Sequence, residues 1–173
     1  VGGKKIAASM NGMPHGAGSI KNNNFPGHFC VHFLESKVHK SRNVDLAHQL
    51  MIAKASGKIE EQIHQASPNK LIIIFFTALK QHDWNMAGLT LGYKNEREKE
   101  AAFTKLKQFD DIKNFTIHKS DGEINEMWQL IPVSIIWEKR NNKDYTTTQL
   151  LLSLQKNALQ GEWYIKAHSV LGE

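Results

Sequence analysis

The chain has 173 residues, 40% hydrophobic and 23% charged, ordinary globular usage that excludes a disordered or collagen-like polypeptide. Its longest apolar run, residues 71–76, falls well short of the roughly 20 residues a bilayer crossing needs. Lys and Arg number 22 against 17 Asp and Glu, a formal charge of +5.

That excess is uneven. Residues 1–66 hold 8 basic and 4 acidic side chains, and residues 67–173 hold 14 and 13. A basic first third suits an anionic polymer such as nucleic acid or cell-wall material, and equally a solvated basic face. Nucleic acid is not the expected partner, because the basic residues are scattered and mostly Lys; the arginines are Arg42, Arg97 and Arg140. The single cysteine, Cys30, excludes an internal disulfide framework. It fits the cytosol, and it fits an exported protein with one working thiol. The first residues have neither the charged start nor the apolar core of a signal peptide. The expected address is extracytoplasmic (cell wall or secreted) if an upstream part is missing, with the cytoplasm as the alternative.

Composition changes near Ser67 and Pro68, giving an expected boundary at about residue 66. Upstream, residues 5–10 read as a strand ending in the turn pair Asn11-Gly12. Residues 11–27 contain four Gly, two Pro and four Asn, a loop long enough to suggest a task. Residues 29–34 read as a second strand. Its alternation sets Phe29, Val31 and Phe33 on one face and His28, Cys30 and His32 on the other. Asp45 is positioned to cap a helix through about Ala55, which Gly57 breaks, and a short helix follows over residues 58–65.

Downstream, Ser67 and Pro68 form a helix start, and Leu71, Ile74, Phe75, Ala78 and Leu79 mark the buried stripe. A helix over residues 95–109 places Ala102, Phe103, Leu106 and Phe109 on one side. Strands are expected at 114–119, 126–139, 145–156 and 162–169, the last three joined as hairpins by residues 141–144 and 158–161. Helices followed by an antiparallel meander make an α+β arrangement. Trp84, Trp128, Trp137 and Trp163 are expected chiefly in packing roles.

The chemistry concentrates in Pro14-His15-Gly16-Ala17 and Pro26-Gly27-His28-Phe29-Cys30-Val31-His32. A thiol becomes a good nucleophile when a nearby base or cation raises its thiolate fraction. His28 and His32 sit two residues from Cys30, roughly 6.5–7 Å along an extended strand, poorly placed for direct proton transfer. His15 comes from a separate segment and is the favoured base. A metal site is a second reading, since His28, Cys30, His32, His39, Asp45 and His48 are all possible zinc ligands and His15 could complete a shell. The spacing matches no closed structural zinc pattern, and neither metal nor cofactor is expected. A third possibility is that Cys30 is a small strand-packing side chain.

The two blocks resemble those of L,D-transpeptidases, the YkuD-type cysteine acyltransferases of bacterial cell walls, over residues 4–34. The resemblance implies Cys30 as nucleophile, His15 as base and His28 as the family's motif histidine. It implies substrate-binding positions at Gly16, Gly27 and His32, an oxyanion hole from backbone N–H groups around Cys30, and peptidoglycan or another anionic wall polymer as partner. Gly27 stands where the family has Ser or Thr, Phe29 where it has Gly, and His32 where it has Arg or Asn. Separately, Phe75-Phe76-Thr77-Ala78-Leu79-Lys80-Gln81-His82-Asp83-Trp84 resembles the first helix of NTF2-like (cystatin-like α+β) domains, a resemblance spanning residues 67–170. The expected chain is thus α+β: a β-rich L,D-transpeptidase-like segment with trailing helices over 1–66, then an NTF2-like domain over 67–173 with helices on a curved antiparallel sheet. The functions weighed are peptidoglycan acyl transfer through a Cys–His pair, a non-catalytic ligand- or partner-binding module with a vestigial first part, and a zinc-dependent hydrolase.

Overall fold

The computed structural model describes residues 2–13, 15–18, 20–25, 27–38, 42–107, 111–120, 125–138 and 144–171. Pro14, Pro26, His39, Phe109 and most of the expected 141–144 turn lie outside them. The chain is α+β and divides into two compact units, Val1–Ile59 and Glu60–Glu173. Among the described residues no helix is long and apolar enough to cross a membrane.

The first unit is loop-rich. Strands β1 (Ser9–Met10) and β2 (Val31–His32) pair antiparallel, Ser9 opposite His32 and Met10 opposite Val31. Both are shorter than the alternation suggests. Helix α1 (Leu46–Ala55) packs on β1. Its N-cap is Asp45, whose Oδ1 accepts from the N–H groups of Ala47 (2.8 Å) and His48 (3.3 Å), satisfying donors the first helical turn leaves open. The Phe29, Val31, Phe33 face is the exposed one, at 42, 51 and 45%, while His32 on the opposite face is buried. Helix α2 (Ile59–His64) follows at the unit boundary.

The second unit is organised around α3 (Pro68–Lys80), with Pro at its start. Leu71, Ile72, Ile74, Phe75, Phe76, Ala78 and Leu79 are all buried, so the stripe is wider than the expected five residues. Each such large side chain removed from water contributes about 1.5–3 kcal/mol before conformational entropy is counted. Asp83 caps α4 (Trp84–Leu89) through Met86 N–H, and Asn95 caps α5 (Glu96–Leu106) through Glu98 N–H. The five-stranded sheet is open and runs β3-β7-β6-β5-β4, comprising β3 (Leu91–Gly92), β4 (Ile112–Ile117), β5 (Trp128–Glu138), β6 (Tyr145–Lys156) and β7 (Trp163–Lys166).

This sheet is mixed rather than wholly antiparallel, because the two-residue β3 joins β7 in parallel. The expected final strand also stops early: Ala167–Leu171 is a helix, α6. Ile131, Val133 and Ile135 of β5 and Leu152 and Leu154 of β6 alternate into the core beside Ile165 of β7. Pro132 interrupts β5 without leaving an unmatched donor. Its carbonyl accepts from His118 N–H at 2.9 Å, so its missing N–H faces the same side, just beyond the end of β4.

Candidate functional site

The loop between β1 and β2 returns on itself as an extension of their ladder. Asn11 N–H donates to the Cys30 carbonyl at 3.2 Å, His15 N–H to the His28 carbonyl at 3.1 Å, and His28 N–H to the His15 carbonyl at 2.9 Å. His15 and His28 are therefore a directly opposed pair, which accounts for how two blocks 15 residues apart converge. Asn22 and Asn24 take left-handed backbone angles (φ 63° and 53°) in the intervening loop, a conformation Asn tolerates better than most residues.

This pairing sets the His15 side chain against the thiol, with Nε2 3.2 Å from Cys30 Sγ. The other ring nitrogen, Nδ1, lies 3.4 Å from the Met13 carbonyl. A carbonyl only accepts, so the tautomer that satisfies both contacts carries its proton on Nδ1. It leaves the Nε2 lone pair free to receive the thiol proton. A thiol, an imidazole and a carbonyl in this order make the arrangement that a nucleophile, its base and an orienting group require. Cys30 is partly exposed, and His15 and His28 are exposed, so a substrate has access.

His28 stands beside the pair. Its ring centroid is 4.7 Å from that of His15, tilted by 57°, and its Nδ1 lies 3.5 Å from the Ala17 carbonyl. Gly16 makes room for this ring: it has φ +69°, and a Cβ there would sit 2.5 Å from His28 Cε1. Gly27 is buried in the turn, its N–H donating to the Phe25 carbonyl at 3.0 Å. His15, His28 and Cys30 each offer a ligand atom, all within 4.8 Å of one another. Among the described residues this is the group able to hold a soft or borderline metal ion.

His32 is not part of that cluster. At 6% exposure it stacks on His48, with centroids 3.8 Å apart and planes 12° from parallel, and its Nδ1 lies 3.5 Å from Ser36 Oγ. His48 Nδ1 in turn meets Ser9 Oγ at 2.8 Å. Desolvation lowers the His48 pKa below the ordinary histidine value, the neighbouring His32 lowers it further, and Asp45 opposes both. Ser9, His32 and His48 thus form a polar cluster beside β2, which Cys30 immediately precedes. The sequence signals this only weakly, as a serine on β1 facing a strand histidine and a histidine three residues past a helix cap.

The sequence reading also passes over a cleft of about 440 Å3 in the second unit, lined by Trp163, Tyr164 and Gln155 among others. Elsewhere on the sheet, His118 Nε2 contacts Ser134 Oγ, whose proton goes to Gln149 Oε1 at 2.9 Å; Ser134 therefore has no proton to offer His118, and the pair lacks a nucleophile–base arrangement. Trp137 donates to Thr148 Oγ1 at 3.0 Å, a strand-packing role. No family model, curated protein or solved structure matches the chain.

Proposed function

We propose that the chain is a cysteine acyltransferase resembling L,D-transpeptidases, acting on peptidoglycan stem peptides from an extracytoplasmic, wall-associated position. The observation that carries this reading is the 3.2 Å approach of His15 Nε2 to Cys30 Sγ, with Nδ1 turned to a backbone carbonyl. His15 takes the thiol proton as sulfur attacks a stem-peptide carbonyl carbon. The tetrahedral intermediate collapses as the protonated imidazole returns that proton to the departing amine, leaving a thioester on Cys30. An incoming amine or water then attacks the thioester, losing its proton to His15 while the thiolate leaves. Backbone N–H groups around Cys30 would stabilise the oxyanion. His28 flanks the base, and Gly16 and Gly27 shape the turns that frame the substrate. His32, buried against His48, contributes to this reading by supporting the strand.

The test is incubation of the chain with a tetrapeptide muropeptide, followed by intact-mass and product analysis. The reading predicts a thioester adduct or exchange of the terminal residue that is absent in Cys30→Ala. Neither adduct nor turnover in the wild type overturns it.

Two other readings each have an observation behind them. The cleft in the second unit, with Phe29 where the family has Gly, favours a non-catalytic binding module with a vestigial first part; muropeptide turnover would eliminate it. The His15–His28–Cys30 cluster favours a zinc-dependent hydrolase. Substoichiometric zinc in purified protein, with the fold retained in chelator, would eliminate that one.

A further inference from the structure

The cleft in the second unit lies at the sheet edge formed by β3 and β7 and is independent of the thiol chemistry. Its volume of about 440 Å3 falls within the roughly 300–1,000 Å3 of sites that enclose small organic ligands. Two aromatic residues from β7, Trp163 and Tyr164, line it, and both are half-buried. Gly92 in the neighbouring strand is what lets the tyrosine ring lie where it does: a Cβ there would sit 2.1 Å from Tyr164 Cδ2.

Beside these rings the lining is polar. Gln155 pairs in register with Tyr164, so the two share a sheet face with Lys166, two residues on. The Gln155 amide has no hydrogen-bond partner among the described residues. An amide both donates and accepts, and an ammonium donates three times. The lysines and carboxylates balance, Lys94 and Lys166 against Glu98 and Glu162. Glu162 is held by His64 at 3.4 Å, and Glu98 accepts from the Lys94 backbone N–H. Burial pushes the Tyr93 hydroxyl up to about 12, so it stays a neutral phenol, donating to the Gly88 carbonyl at 3.0 Å. A balanced lining gives no concentrated positive field for a polyphosphate, and its amides and charges do not suit a lipid chain. Flat aromatic surface bordered by amides matches a ligand with an apolar C–H face and a rim of hydroxyls.

We propose that this cleft binds a pyranose saccharide, a mono- or disaccharide unit stacked against Tyr164, whose ring lies over Gly92, and hydrogen-bonded by Gln155, Gln160 and Lys166. Titration calorimetry on the full chain tests it, with N,N′-diacetylchitobiose and cellobiose as probes and the dipeptide Ala-Ala as contrast. Saturable binding of either disaccharide is expected. Tyr164→Ala should weaken it on the order of tenfold through loss of the aromatic contact. Gln155→Ala, which removes a side chain with no structural partner, should weaken it roughly threefold with the circular dichroism spectrum unchanged. That second variant decides the matter if Tyr164→Ala fails to fold. Absence of binding by both disaccharides, unchanged affinity in the folded variants, or binding of the dipeptide alone overturns the proposal.

Discussion

In the second unit Phe75, Phe76, Leu71 and Ile72 are almost wholly withdrawn from water around a helix and a sheet. In the first, the strand pair next to the thiol packs through Ser9, His32 and His48, joined by a 2.8 Å hydrogen bond and a ring stack. An apolar core gains stability from area and tolerates similar shapes, whereas a polar interior depends on every partner being present in one protonation state. The unit that carries Cys30 is thus the one whose interior holds directional, titratable contacts.

The contrast can be broken from either side. The largest expected effect is in the apolar unit: Phe76 stacks with Phe115 and meets Phe75 edge-on, each at 5.0 Å. Phe76→Ala should cost about 3–5 kcal/mol by urea denaturation; a loss below about 1 kcal/mol would mean that the packing is looser than described. Gly16→Ala places a Cβ against His28 at a left-handed φ and should cost about 1–2 kcal/mol. It should also slow Cys30 alkylation, since His28 packs on His15; unchanged alkylation would detach His28 from the site. Asp45→Ala removes the α1 cap and should cost about 1 kcal/mol, seen as earlier melting of helical signal.

A smaller effect is expected from pH. Because burial lowers the His48 pKa below 6.5, the unfolded chain binds more protons than the native one just under that value. Stability of the first unit should therefore fall as pH drops below 6.5 and be flat, as far as His48 is concerned, above it. His48→Gln, which keeps a polar partner for Ser9, should flatten the slope. Denaturation midpoints measured at roughly pH 5 and pH 7 check this; equal slopes in the two proteins would remove His48 from the account.

Elements whose signals are local were legible in the sequence. Asp45 and Asn95 announce caps, the spacing from Leu71 to Leu79 announces α3, and β6 spans Tyr145–Lys156 as its pattern suggests. Pairings decided by tertiary context were not. The two-residue β3 has no periodicity to detect, and α6 follows strand-like sequence without a break. The convergence of His15 on Cys30 was legible as a pairing of blocks, but its cause, the backbone ladder between His15 and His28, is a tertiary pairing that local sequence does not specify. The alternation of residues 28–33 separated two faces without saying that the apolar one, Phe29, Val31 and Phe33, is exposed. The cleft beside Trp163 is assembled from β3, β6, β7 and residues of α2, α5 and α6, a juxtaposition no single segment encodes.

The most direct test of the central claim is the rate of Cys30 alkylation by iodoacetamide near neutral pH, in the wild type and in His15→Ala. An imidazole 3.2 Å from the sulfur predicts a wild-type rate above that of a free thiol and a fall to the free-thiol rate in the variant. A wild-type rate no faster than a free thiol, unchanged when His15 is removed, would contradict it.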